Sequence, residues 1–260
     1  MVEEGFSFPI SQLPMRESVK KNMTFGHFSS SMEYLAKGSN SSVYRAKYNN
    51  ADVVVKTPKE NSPNALQDLR TERTMLIRIS HPNIINIIGT GESPNEFISL
   101  EFLGGGTLKS LLYDKSRFFQ LMEAAVALFT VDTKTKLNKT LLMARDIASA
   151  LYYLHDRFHP DACIIHRGKL FTAPILSVNK FSNNLTYIHF TLDLKPENIG
   201  FTENMQLKLF DFGLMTCVRR PALSSEMYQM SGCTGSPRYM APEVRPVIDT
   251  LFFLTVYSSS

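Results

Sequence analysis

Two short runs, SVYRAKY (42–48) and ADVVVK (51–56), flank Asn49-Asn50. Both read as strands, and an Asn–Asn link between them is a hairpin signature. An antiparallel pair near the start of the chain constrains everything after it. Residues 64–79, NALQDLRTERTMLIRI, then read as a helix with Leu69, Leu76 and Ile79 on one face, ended by His81-Pro82. Strands are expected at 84–88 and 96–102, before the loop GGGTL. A second helix is expected over 138–155, with Ile147, Leu151 and Leu154 on one stripe and Asn138 as its N-cap. QLKLF is an alternating strand. Strands first and helices later describe an α+β protein with two segregated lobes.

The chain has 260 residues, enough for one large domain or two small lobes. Hydrophobic residues at 43% and charged residues at 20% are an ordinary globular balance. Basic residues are spread along the chain and its formal charge is only +4, so nucleic acid is not an expected partner. Cys163, Cys217 and Cys233 have no paired metal spacing, and an odd count fits free thiols in a reducing compartment. No apolar run reaches the ~20 residues of a membrane helix, and MVEEGFSFPI lacks a signal-peptide pattern. The expectation is a soluble, cytoplasmic protein with no membrane partner. Residues 1–30, polar and carrying Pro9 and Pro14, read as a flexible lead-in.

The helix at 64–79 contains an anomaly. Glu72 lies three residues after Leu69 and four before Leu76, on the apolar face, where a carboxylate is costly unless paired. The natural partner is Lys56, which closes the apolar run Val53-Val54-Val55. A surface reading, with Glu72 reaching water and Lys56 ending a strand in solvent, stays open on these two residues alone. Further on, KLFDFGL places Asp211 at a strand end beside Phe212-Gly213, a position that suits a Mg²⁺ ligand or an ordinary turn. DLKPEN gives Asp193 and Asn198 the D-x-x-x-x-N spacing of a catalytic loop, with Lys195 between them. GSPRYMAPE follows at 235–243.

In order and approximate spacing these pieces resemble a eukaryotic protein kinase, from about residue 32 to 244. The resemblance implies a two-lobed kinase-like fold: an N-lobe antiparallel sheet with one helix, then a mainly helical C-lobe. ATP would lie between the lobes. Lys56 would hold its α- and β-phosphates and Glu72 would orient Lys56. Asn198 and Asp211 would ligate Mg²⁺, and Asp193 would take or orient the substrate hydroxyl proton. Lys195 after Asp193-Leu194 resembles the serine/threonine type and would neutralise the γ-phosphate. Glu101-Phe102-Leu103 would form the hinge with Leu100 as gatekeeper, so Glu101 and Leu103, with Gly38 and Val43, complete the nucleotide contacts. The implied domains are a lead-in at 1–30, an N-lobe at 31–103, a partial C-lobe at 104–244 and a non-family tail at 245–260.

The chain departs from the family in four places. In LAKGSNSSVYRA only Gly38 of three expected glycines remains, with Ala36 and Ser41 in the other places, so weakened nucleotide contact is expected. The catalytic loop is interrupted: residues 168–192 separate Arg167 from Asp193 and carry Phe171, Ile175, Leu176, Phe181, Ile188 and Phe190 with no evident burial site. A loop of that length is entropically tolerable. Two origins remain, a natural insertion or translated intron, and finding its codons in mature transcript would eliminate the second. After Val244 the sequence becomes RPVIDTLFFLTVYSSS, and the expectation is a truncated C-lobe in which Glu243 lacks its arginine partner. Residues 115–137 are extra relative to a compact member and read as a surface insertion.

The region between Gly213 and Gly235 is the expected activation segment, with Ser224, Ser225, Ser231 and Thr234 as phosphate acceptors and Arg167 as reader of that charge. Ser236 would face the substrate. The resulting expectation is an ATP- and Mg²⁺-dependent serine/threonine kinase acting on protein hydroxyls. The alternative is a catalytically impaired binding scaffold or a non-functional fragment.

Overall fold

The computed structural model describes residues 8–28, 32–38, 40–60, 62–92, 95–114, 116, 135–166 and 194–219. These fall into two compact units. One comprises Ile10–Tyr153 with Pro196–Leu214; the other draws on Leu154–Lys195 and Met215 onward, together with the residues up to Pro9.

The first unit is built on a five-stranded antiparallel sheet. Its strands are β1 (Glu33–Lys37), β2 (Ser41–Tyr48), β3 (Ala51–Pro58), β4 (Ile87–Gly91) and β5 (Phe97–Glu101), in the order β1-β2-β3-β5-β4. The expected hairpin is β2–β3. Its turn residues Asn49 (φ 50°) and Asn50 (φ 63°) are both left-handed, the conformation that matches a two-residue turn to strand twist and that Asn tolerates. The strand expected at 84–88 begins later, at Ile87, because Asn83–Ile85 pair elsewhere: Leu209 donates to the Asn83 carbonyl (2.8 Å) and Ile85 to that of Leu209 (2.9 Å).

Helix α1 (Ala65–Leu76) buries Leu69, Met75 and Leu76. It stops three residues short of the expected Ile79, although Ile79 itself is buried. The lead-in intercepts its C-terminus. The Arg16 amide donates to the Ile77 carbonyl (2.9 Å) and its guanidinium to that of Leu76 (3.2 Å). Arg78 reaches the carbonyls of Thr74, Leu13 and Ser11. Cationic groups at exposed helix carbonyls are favourable with respect to the helix dipole.

Accordingly, the lead-in is not loose over Ile10–Phe28. Ile10, Val19, Met23 and Phe28 are buried. Lys20 exchanges hydrogen bonds with Ile88 and Thr90 on β4 (2.9 Å each), and the Met23 amide donates to Thr90 (2.8 Å), so this segment covers the edge of the sheet. Gly89 makes that approach possible, since a Cβ there would stand 2.2 Å from Met23 Sδ and 2.7 Å from the Lys20 carbonyl oxygen.

Below the sheet, β6 (Gly106–Thr107), β8 (Ile199–Phe201) and β9 (Leu207–Leu209) form a three-stranded antiparallel sheet. The chain leaving β5 lies against β8 through Gly105, where a Cβ would be 2.6 Å from the Thr202 carbonyl oxygen. Thr107 then caps α2 (Leu108–Tyr113) in a reciprocal capping box with Ser110.

Helix α3 (Thr135–Tyr152) starts before the expected N-cap, so Asn138 lies within it; the backbone ladder extends a turn upstream of that side chain. It is followed by a π-helical turn, Tyr153–Arg157. Of the expected stripe, Leu154 is buried and Ile147 and Leu151 are half-buried.

In the second unit, β7 (Ala162–His166) pairs antiparallel with β10 (Met215–Arg219). Phe8 donates to Cys217 (3.2 Å) and rests on the His159 ring. Cys217 is buried. No helix among the described residues is long and apolar enough to cross a membrane. The interruption at 168–192, the acceptors between 224 and 236, Glu243 and the tail lie outside the described residues, as does most of 115–137.

Candidate active site

Strand parity decides where Lys56 points. Val53 and Val55 belong to an apolar cluster on one face of β3, so Val54 and Lys56 occupy the other. On that face Lys56 is paired with Val43 of β2 and Ile98 of β5, and Val54 with Leu100. Its Nζ donates to Glu72 Oε2 (2.6 Å) and to Asp211 Oδ1 (3.2 Å). The surface reading of Glu72 is therefore excluded: its side chain is 1% exposed, and its Oε1 accepts the Phe212 N–H (3.3 Å).

Burial opposes the charge on Lys56, but the Glu72 and Asp211 carboxylates outweigh it and hold the ammonium above the ordinary lysine range. Burial pushes Glu72 above the usual carboxylate range, with Lys56 pulling the other way. Asp211 is different. Its side chain is 46% exposed, and its backbone has φ 70°, a left-handed conformation uncommon outside glycine and found preferentially at functional positions.

Asn198 ends a 3₁₀ turn (Pro196–Asn198) that leads into β8, and is buried. Pairing of Ile199 with Leu209, and the bond from the Phe210 N–H to the Asn198 carbonyl (3.1 Å), bring Asn198 and Asp211 to the same end of the β8–β9 hairpin. Lys56, Glu72, Asn198 and Asp211 thus lie in one compact unit. Gly38 at the β1–β2 turn, Val43, Glu101 and Leu103 lie in it too. Lys195 is half-buried but groups with the other unit. Asp193 and Arg167 lie outside the described residues.

An ionic contact at Glu101 escaped the sequence reading. Lys208, in the middle of β9 and buried, donates to Glu101 Oε1 (3.0 Å), which also accepts the Asn86 N–H (2.7 Å). The signal was present: a lysine between Leu207 and Leu209 needs a partner for the same reason Glu72 does. Glu101 therefore spends its side chain on Lys208 and Asn86, while Arg45 stacks its guanidinium 4.6 Å from the Phe102 ring centroid.

A half-buried lysine gripped by a buried helix glutamate and by an aspartate on a strained turn is a charge-positioning device. Residues 30–248 match the family of protein tyrosine and serine/threonine kinases. The chain belongs to that family. Among its relatives, the serine/threonine-protein kinase VIK of Arabidopsis thaliana is 31% identical over 217 residues, covering 81% of this chain and 39% of the relative. The serine/threonine-protein kinase CTR1 of the same plant is 29% identical over 215 residues, covering 82% and 20% respectively. The dual specificity protein kinase splA of Dictyostelium discoideum is 27% identical over 239 residues, covering 90% and 8%. The chain thus spans well under half the length of each of these relatives.

Proposed function

We propose that this kinase-family chain transfers the γ-phosphate of ATP, with Mg²⁺, to a serine or threonine hydroxyl of a protein. The observation that carries the reading is the convergence of Glu72 and Asp211 on Lys56 Nζ, at 2.6 and 3.2 Å. The donor set fits the group it would hold. One ammonium between two carboxylates leaves net negative charge, and an exposed carboxylate beside a buried amide offers the oxygen ligands that magnesium takes. When bound, Mg²⁺–ATP supplies the transferable phosphoryl group and the cation that neutralises its charge.

In this reading Lys56 orients the α- and β-phosphates and Glu72 keeps its ammonium from swinging into solvent. Asp211 and Asn198 hold the metal. Gly38, Val43, Glu101 and Leu103 line the nucleotide. Asp193 orients the acceptor hydroxyl, and Lys195 offsets γ-phosphate charge. Residues 31–103 hold the nucleotide and 104–244 the acceptor. A cytoplasmic protein substrate and the serine/threonine preference belong to the same proposal; the latter rests on Lys195 and on the relatives' names.

The test is transfer of labelled phosphate from ATP to a generic protein substrate, with Asp211→Ala as control. Transfer that Asp211→Ala abolishes supports the proposal. Nucleotide binding without transfer supports instead a binding scaffold, which the loss of loop glycines at positions 36 and 41 favours.

A further inference from the structure

The turn between β1 and β2 lacks two family glycines, yet it is held from outside. Gly38 donates to the Ser41 carbonyl (2.9 Å), closing the turn on itself. Asn40 then uses both ends of its amide. Its Nδ2 donates to Asp68 Oδ2 (2.5 Å) and its Oδ1 accepts the Ser62 hydroxyl (2.9 Å). Its backbone carbonyl accepts the Lys59 N–H (3.2 Å), and Lys59 Nζ donates to the Gly38 carbonyl. Asn40, Ser62 and Asp68 are all half-buried, so these bonds are partly shielded from water.

The partners lie on two sequence-distant elements. Lys59 and Ser62 belong to the connection from β3 to α1, and Asp68 belongs to the first turn of α1. Asp68 stands four residues before Glu72, on the same side of the helix. A Cβ added to Gly213 would lie 3.5 Å from Asp68 Cβ and from its carbonyl oxygen, so the turn after Asp211-Phe212 rests on the same residue. The β1–β2 turn, the helix carrying Glu72 and the turn carrying Asp211 therefore meet at Asp68.

We propose that Asn40 and Asp68 are positioning residues that tie the phosphate-facing turn to α1, taking over the placement that backbone freedom at the missing glycines would otherwise allow. Asparagine suits the role because one amide donates to a carboxylate while accepting from a hydroxyl. The bond to Asp68 is charge-assisted, the stronger class of hydrogen bond. Drawing the turn down onto α1 also restrains rotation of α1, on which the reach of Glu72 to Lys56 depends. The purpose assigned to the tether rests on the kinase reading; its existence does not.

The experiment therefore has two arms. In the first, amide hydrogen exchange is followed on the ligand-free chain. Asn40→Ala and Asp68→Ala are each expected to speed exchange at Lys59 and across Leu69–Glu72 by about tenfold. The double variant should be no worse than the worse single one, because both remove one shared bond. Asp68→Asn, which keeps an accepting oxygen, should restore most of the protection. Unchanged exchange, or single effects that simply add, would overturn the tether. In the second arm, both alanine variants should weaken binding of a fluorescent ATP analogue with Mg²⁺ about 3- to 10-fold and raise the KM for ATP more than they lower kcat. Tighter nucleotide binding by Asp68→Ala would overturn the positioning role. A wild-type chain that shows the exchange pattern and binds no nucleotide would sink the proposed function and leave the tether standing.

Discussion

The two faces of the five-stranded sheet are made by the same strands and do opposite work. On the outer face, Ala46, Val53, Val55 and Phe97 pack with Met23 and Phe28 of the lead-in into a cluster that contains no charge. Phe25 stacks on Phe97 at 4.9 Å, adding an aromatic lid. On the inner face the next residue along β3 is Lys56, with an acid at 2.6 Å and another at 3.2 Å. One step of strand parity separates a site of burial from a site of charge. A register slip of one residue would exchange them, which is why the apolar outer face protects the inner one: it makes the wrong register expensive.

The sharpest way to break this comparison is at Lys56. Lys56→Met keeps the side chain's length and removes its charge. Transfer activity should fall by about 100- to 1,000-fold in kcat/KM, the scale of losing one preorganised electrostatic donor. Stability should fall by about 3–5 kcal/mol, because Glu72 is left buried without its cation. The difference in denaturation between wild type and variant has a defined pH sign. A lysine whose folded pKa is raised stabilises fully below the ordinary lysine value and loses that contribution as pH rises through the raised one. The gap between the two proteins should therefore be constant near neutrality and close at strongly alkaline pH.

The matching change on the outer face is Phe97→Ala. Phe97 is 1% exposed, and emptying its place should cost about 3–5 kcal/mol. Activity per folded molecule should change by less than about threefold, since the lost atoms face away from Lys56. Equal losses of activity in the two variants would mean that the faces are mechanically coupled, and the division of labour would fail.

How much of this could be read beforehand depended on whether a residue broke a local pattern. Glu72 did so, as an acid on an apolar helix face that asks for a partner; Lys56 was its natural partner, but the surface reading stayed open on those two residues alone. Asn49-Asn50 announced its turn because both positions need left-handed backbone. The lead-in gave no such signal. Ile10, Val19, Met23 and Phe28 are spaced irregularly among polar residues, and the elements the segment packs on, α1 and the sheet, lie far from it in sequence. No period encodes that. Gly89 and Gly91 were similarly mute, since a glycine in a strand marks close approach without saying by what. The end of α1 was misplaced for the same reason: the groups that take its last carbonyls, on Arg16 and Arg78, act from outside the helix or from beyond it.

A smaller test sharpens the role of the lead-in. Gly89→Ala places a methyl against Met23 Sδ and the Lys20 carbonyl. The edge segment must shift, at a cost of about 1–3 kcal/mol. Limited proteolysis should then cut within residues 10–28 faster than in the wild type, while Lys56–Glu72 geometry, read by nucleotide affinity, stays the same. An unchanged cleavage rate would mean that the segment is held mainly by Arg16 and Arg78 at α1 and not by the sheet edge.

The smallest effect expected is at Ser99, directly across from Val55 on one side and Gly89 on the other. It is 0% exposed, and its hydroxyl has no hydrogen-bond partner among the described residues. On the inner face the buried Glu72 carboxylate is matched by Lys56 and the Phe212 N–H; the Ser99 hydroxyl is not, and nothing in the proposed chemistry uses it. An unmatched buried hydroxyl costs free energy that a methyl of similar size does not. Ser99→Ala should therefore leave activity unchanged and alter stability by between zero and about 1 kcal/mol in the stabilising direction, measured by urea unfolding at constant m-value. A destabilisation of the same size would mean that the hydroxyl finds a partner in solution, and that the outer face is less purely apolar than the packing of Phe97 and Met23 makes it.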